Sequence, residues 1–177
     1  MKKRLFLTGD QGCGKSTLIQ TVLADRLEQA AGFLTVRTAD GVEIRSPSGA
    51  FSPVLFLDFT AAEPVFWPDR LFSAMEASFR SPGSFAVLDE IGGIELTDPV
   101  FLPLLHAFLE TGIPCIGVVK NPASAEKLCR RIGLDALYLQ AAADLQESLA
   151  QDPHTAVIPF AEAGPAAEQW VQEYLHD

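Results

Sequence analysis

The residues Gly9-Asp10-Gln11-Gly12-Cys13-Gly14-Lys15-Ser16 match the pattern G-x-x-x-x-G-K-[ST] at every fixed position. Each fixed residue type has a physical reason. Glycine lets the backbone take conformations closed to other residues and come close to a phosphate. Successive N–H groups then converge into an anion nest, and the helix that follows adds its positive N-terminal end. This spacing brings the Lys15 ammonium to β- and γ-phosphates and sets the Ser16 hydroxyl to ligate Mg²⁺. Gly9 to Thr17 is the expected nucleotide-binding stretch. Cys13 within it is read as a small residue that fits the loop, not a redox centre.

A second group is Phe85-Ala86-Val87-Leu88-Asp89-Glu90, an apolar run that ends in two carboxylates. Asp89 is expected to hold Mg²⁺, directly or through water, from the strand next to the P-loop strand. Glu90 is placed to activate or orient an attacking water. Lys15 and Glu90 are thus the candidate catalytic residues, and Ser16 and Asp89 the candidate metal ligands. A cation for the transferring phosphoryl group is still needed; Lys120, Lys127, Arg130 and Arg131 are the candidates. Lys120-Asn121 ends a strand where a base-reading loop could sit, but it is not the Asn-Lys-x-Asp guanine reader.

The elements that must position these groups alternate. Leu5 to Leu7 reads as a buried strand before the loop, and residues 14 to 30 carry a helical stripe with Gly32 as C-cap. Strand patterns at 33–36, 42–45 and 54–59, with a turn at Asp40-Gly41, predict a β-meander inserted after that helix. A loop over 61–68 leads to a helix over 68–80, with proline in its first turn. The apolar run to Leu88 follows. Asp98 is then the expected N-cap of a helix to about Glu110, before a strand over 113–119. The remainder reads as a helix near 123–132, a short strand at 136–139, a helix at 142–150, extended chain from Pro153 to Pro159 and a last helix over 165–176. Apolar strands alternating with helices predict a mainly parallel sheet covered by helices on both faces. Residues 1–151 are expected to form the main domain. Residues 152–177 are read as a C-terminal extension whose helix packs on it.

The composition narrows the class. The 177 residues suffice for a full core. A net charge of −10 lacks the basic face that nucleic acid needs, so no nucleic-acid partner is expected. Neither a signal-peptide core nor a run of membrane-spanning length is present, so no membrane partner is expected. Cys13, Cys115 and Cys129 are scattered without metal spacing, as are His106, His154 and His176, which suits reduced thiols in a cytoplasm and gives no zinc signature.

Asp89-Glu90-Ile91-Gly92 continues as Gly93-Ile94-Glu95-Leu96, with Phe101 five residues on. This resembles the D-E-I-G-K-M-E-L segment of the P-loop nucleoside-triphosphatases that include the cancer-related nucleoside-triphosphatase and its thermostable microbial relatives. Leu7-Thr8-Gly9 and Gly32-Phe33-x-Thr35 are similar too. The resemblance covers about residues 4 to 150. It implies a RecA-like P-loop fold and Mg²⁺-dependent hydrolysis of nucleoside triphosphates, ATP or GTP with broad base tolerance, to diphosphates. It also implies the roles given above for Lys15, Ser16, Asp89 and Glu90, and puts Glu95 at the family's second acidic position. The chain departs from the pattern at Gly93, where the family has lysine, and at Ile94, where it has methionine. Val36-Arg37 replaces charged residues, and Ala142-Ala143-Asp144 stands where an Asn-Arg pair is expected. These departures touch base selection and rate more than phosphate binding. A nucleotide-binding adaptor or switch with slow hydrolysis is the alternative, and a small-molecule kinase a third reading. No feature of the sequence identifies a protein partner.

Overall fold

The computed structural model describes residues 2–175. Strand β1 (Arg4–Thr8) leads through the glycine-rich loop into helix α1 (Lys15–Leu23) and a 3₁₀ segment, Ala24–Gln29. Strands β2 (Ala30–Arg37), β3 (Gly41–Arg45), β4 (Val54–Asp58) and β5 (Val65–Phe66) follow, then α2 (Pro68–Arg80) and β6 (Phe85–Ile91). A 3₁₀ segment (Ile94–Thr97), α3 (Phe101–Glu110), β7 (Cys115–Val119), α4 (Pro122–Ile132) and α5 (Ala136–Gln151) come next. The chain ends with β8 (Thr155–Pro159), a 3₁₀ turn (Phe160–Glu162) and α6 (Ala163–Tyr174).

All eight strands join one sheet in the order β5-β4-β3-β2-β6-β7-β1-β8. The five from β2 to β8 in that order are parallel. The inserted meander β2-β3-β4-β5 is antiparallel. Side chains on a strand alternate between faces, and β1 sorts accordingly. Leu5 and Leu7 enter one core with Ile19 and Leu23 of α1 and Trp170 of α6. Phe6 enters the other with residues of α2, α3, α4 and α5. A parallel sheet needs both faces dry, and these two cores supply that.

Several expectations need correction. The Asp89 strand is not next to the P-loop strand, because β7 lies between β6 and β1. The helix expected over 14–30 ends at Leu23. Gly32 does not cap it but sits inside β2, where an added Cβ would lie 2.1 Å from the Val87 carbonyl oxygen of β6, so its lack of side chain serves strand contact. The expected strand at 136–139 is the first turn of α5. Asp135 caps it by accepting from the N–H groups of Leu137 (3.0 Å) and Tyr138 (3.2 Å), a stronger local signal than the apolar run. Asp98 accepts from the Val100 N–H at 2.8 Å and so closes the turn before α3, not the helix itself. The loop over 61–68 contains β5. The last helix ends at Tyr174, and residue 176, with His176, lies outside the described residues.

The segment after Asp152 is tied to the sheet. β8 pairs with β1 along Arg4–Thr8, and the fully buried Trp170 donates its indole N–H to the Lys3 carbonyl at 3.0 Å. Among the described residues no helix is long and apolar enough to cross a membrane. Trp170→Ala should cost about 3–5 kcal/mol of stability. Urea unfolding would measure it, and a change of a few tenths would mean that α6 contributes little to the core.

Candidate functional site

The carboxyl ends of β1, β6 and β7 meet at one cavity of about 660 Å³. Ligands in open α/β sheets bind at that edge. Of the P-loop residues named from sequence, Gln11, Gly12, Gly14, Lys15, Ser16 and Thr17 line it. Gly9, Asp10 and Cys13 stand behind them and receive Lys15. Its ammonium donates to the Gly9 carbonyl (3.0 Å) and the Asp10 carbonyl (2.7 Å), with the Cys13 Sγ at 3.6 Å. Lys15 is thereby buried on its own loop.

Asp89 and Glu90 line the same cavity. Asp89 ends the fully buried run of β6 and is 2% exposed. Burial pushes its carboxyl up to about 6; a hydrogen bond with Ser16 and the charges of Lys15 and Lys120 oppose the rise, and Glu90 adds to it. A carboxylate beside a hydroxyl is a hard oxygen donor set that fits Mg²⁺, which takes one or two protein oxygens and completes its shell with water and phosphate. Glu90 is skipped in the ladder with β7, where Asp89 pairs with Val118 and Ile91 with Val119. Its N–H donates to the Thr35 Oγ1 at 3.2 Å, and its carboxylate is ion-paired with Lys120.

Glu95 supports the turn after β6. Its Oε1 accepts from the N–H groups of Gly92 (2.6 Å) and Gly93 (2.8 Å), and the Tyr138 hydroxyl donates to the Gly92 carbonyl at 2.9 Å. Burial pushes the Glu95 carboxyl up to about 7 against these backbone hydrogen bonds and the charge of Lys120.

Of the four candidate cations, Lys120, Lys127 and Arg131 line the cavity. Arg130 does not: it is largely exposed and pairs with Glu126 on its own helix. Arg131 lies over the Phe59 ring at 4.7 Å, and Arg37 over the same ring at 5.2 Å, so α4 and the meander meet at the rim. Sequence reasoning did not find Thr35, Phe59 or Tyr138 as parts of this site. Thr35 stood within the Gly32-Phe33-x-Thr35 stretch. Phe59 and Tyr138 carried no local signal, because their partners are distant in the chain.

The folded state holds the Glu95 proton between its ordinary value of 4.5 and about 7, where the unfolded chain has released it. Stability therefore falls as pH rises across that window, by on the order of 3 kcal/mol. Asp89 adds a similar fall, complete by about pH 6. Glu95→Gln should remove the loss between pH 6 and 7 and leave the lower part. Urea midpoints measured at closely spaced pH values would show this, and an unchanged slope would contradict it.

No family model matches the chain, and no curated protein does. Among solved structures the chain is similar to THEP1 from the hyperthermophile Aquifex aeolicus. The TM-score is 0.64, over 98% of this chain and 99% of that one, at 16% identity. At that identity the likeness is one of fold. With the eight-stranded, mainly parallel sheet, it gives this chain the α/β fold of the RecA-like P-loop nucleoside-triphosphatases.

Proposed function

We propose that this chain hydrolyses nucleoside triphosphates to diphosphate and phosphate with the help of Mg²⁺. One observation carries the reading: the Asp89–Glu90 pair and the P-loop residues Lys15 and Ser16 line a single cavity. Phosphates would lie along the loop's N–H groups, ahead of α1. Lys15 would exchange the Gly9 and Asp10 carbonyls for phosphate oxygens, a move that costs little because both are oxygen acceptors. Ser16 and Asp89 would hold Mg²⁺, which when bound draws charge from the β- and γ-phosphate oxygens. Glu90 would orient a water and take its proton as the water oxygen bonds to the γ-phosphorus. The bond from that phosphorus to the β–γ bridging oxygen breaks, and its electron pair leaves with the diphosphate.

The cavity continues past Glu90 to an apolar wall of Val36, Val42, Phe56 and Phe59. That extension favours, as a second reading, transfer to an organic acceptor. The two readings differ in what they require: hydrolysis needs only water, and transfer needs the acceptor.

Phosphate release from ATP, GTP, CTP and UTP with Mg²⁺ is the direct measurement, and turnover without any added acceptor is expected. Lys15→Ala should abolish nucleotide binding. Glu90→Gln should bind nucleotide but lose about 10²-fold or more in kcat. If Glu90→Gln turns over as fast as the parent, water activation is wrong; if release depends on an acceptor, the kinase reading replaces hydrolysis.

A further inference from the structure

We propose that Lys120 is the cation that neutralises the transferring phosphoryl group, delivered from the end of β7 across the turn that follows β6. The inference rests on the hydrolysis reading above and specifies one more residue for it.

Lys120 follows the last residue of β7, the strand that separates the Asp89 strand from the P-loop strand. Its backbone is held on both sides. The N–H donates to the Ile91 carbonyl at 2.9 Å, and the carbonyl accepts from the Gln146 Nε2 at 2.6 Å. From this fixed root the side chain crosses the Gly92-Gly93 turn. A Cβ on Gly92 would stand 3.2 Å from the Lys120 Cβ, and one on Gly93 would stand 3.8 Å from its Cε. The stem thus starts tight against Gly92, whereas at Gly93 a Cβ would meet the Glu95 Oε2 first, at 2.9 Å. The ammonium ends on the Glu90 carboxylate, and the side chain is only 14% exposed.

The next residue points the other way. The Asn121 Nδ2 lies 3.5 Å from the Asp10 Oδ1 of the P-loop, while its Oδ1 caps α4 by accepting from the Ser124 N–H at 2.7 Å. Lys120 and Asn121 therefore span the interval between the P-loop and the carboxylate pair. The cavity that a γ-phosphate would enter from the loop is lined by Lys15, Ser16, Asp89, Glu90 and Lys120 together.

The other cations are placed less well. Lys15 serves the loop itself. Arg131 and Arg37 stack on Phe59 at the meander side, Lys127 is exposed, and Arg130 is outside the cavity. Lys120 alone is already paired with the residue that meets the attacking water. As the γ-phosphorus leaves the bridging oxygen, negative charge grows on the phosphoryl and diphosphate oxygens. Moving the ammonium from Glu90 to those oxygens supplies charge where it develops. The same movement frees Glu90 to take the water's proton.

The test compares the parent with Lys120→Met and Lys120→Arg. Lys120→Met should lose about 10²- to 10³-fold in kcat, with affinity for Mg²⁺–diphosphate unchanged, and Lys120→Arg should lose less. The parent should form a tight complex with diphosphate and aluminium fluoride, a planar mimic of the transferring group, and Lys120→Met should not. Arg130→Ala should leave kcat unchanged. Equal turnover or an equal fluoroaluminate complex in Lys120→Met overturns the assignment. So does a rate loss that comes with loss of diphosphate binding. A parent chain without turnover removes the hydrolysis reading and this inference with it; a parent that turns over equally with its Lys120→Met variant removes only this inference.

Discussion

Carboxylates at the end of a dry strand must be offset, and much of this molecule is arranged around that need. Asp89 and Glu95 are 2% and 4% exposed, and every residue from Phe85 to Leu88 before them is buried. A buried charge left without partners costs several kcal/mol. Here the Ser16 hydroxyl, the Lys15 and Lys120 ammonium groups and the N–H groups of Gly92 and Gly93 supply the offset. Even so, burial prevails at both carboxyls and raises them into the range of 6 to 7. A divalent cation and a polyphosphate, which bring opposite charges together, complete such a balance better than either does alone.

The strand order decides which groups can take part. Because β7 lies between β6 and β1, the edge facing the cavity carries three contributions in sequence: Asp89-Glu90, Lys120 and the P-loop. Direct pairing of β6 with β1 would set the carboxylates against the loop with no cation between them. The intervening strand separates them by one strand width and roots at its end Lys120, whose ammonium pairs with Glu90. Gly92 and Gly93 belong to the same arrangement: a Cβ on Gly92 would crowd the root of the lysine at 3.2 Å, and one on Gly93 would crowd the Glu95 carboxylate at 2.9 Å. The Tyr138 hydroxyl and the Glu95 carboxylate then hold the backbone of the turn.

Local chemistry was readable in the sequence, and cross-strand chemistry was not. The loop from Gly9 to Ser16, the apolar run into Asp89 and the prolines and turns of the meander each announce themselves within a few residues, and the helix that opens at Pro68 and the meander emerge where expected. The position of β7 was misread because nothing in a strand's own sequence states its neighbours. Gly32 was misread because a helix cap and a close strand contact both select glycine, and only the Val87 carbonyl distinguishes them. Residues 136–139 look apolar enough for a strand, yet Asp135 caps a helix there. Lys120 was one of four equivalent cations in the sequence. It became distinct only through Glu90, thirty residues away in the chain.

The chain after Asp152 enters this picture through the P-loop's underside. A Cβ on Gly9 would stand 3.2 Å from the Phe160 Cβ, and one on Gly14 would stand 3.3 Å from its Cζ, whereas one on Gly12 would meet nothing within 4 Å. Two of the loop's glycines thus face Phe160 on one side, while Gly14 also lines the cavity on the other. Phe160 begins directly after β8, which is fixed to β1, and α6 then anchors the segment through Trp170 against Phe85 of the Asp89 strand. The loop is therefore held between the cavity and a ring rooted in the same sheet. Its shape depends on the packing of β8, Phe160 and α6 as well as on its own glycines, so a perturbation at α6 has a physical route to the cavity.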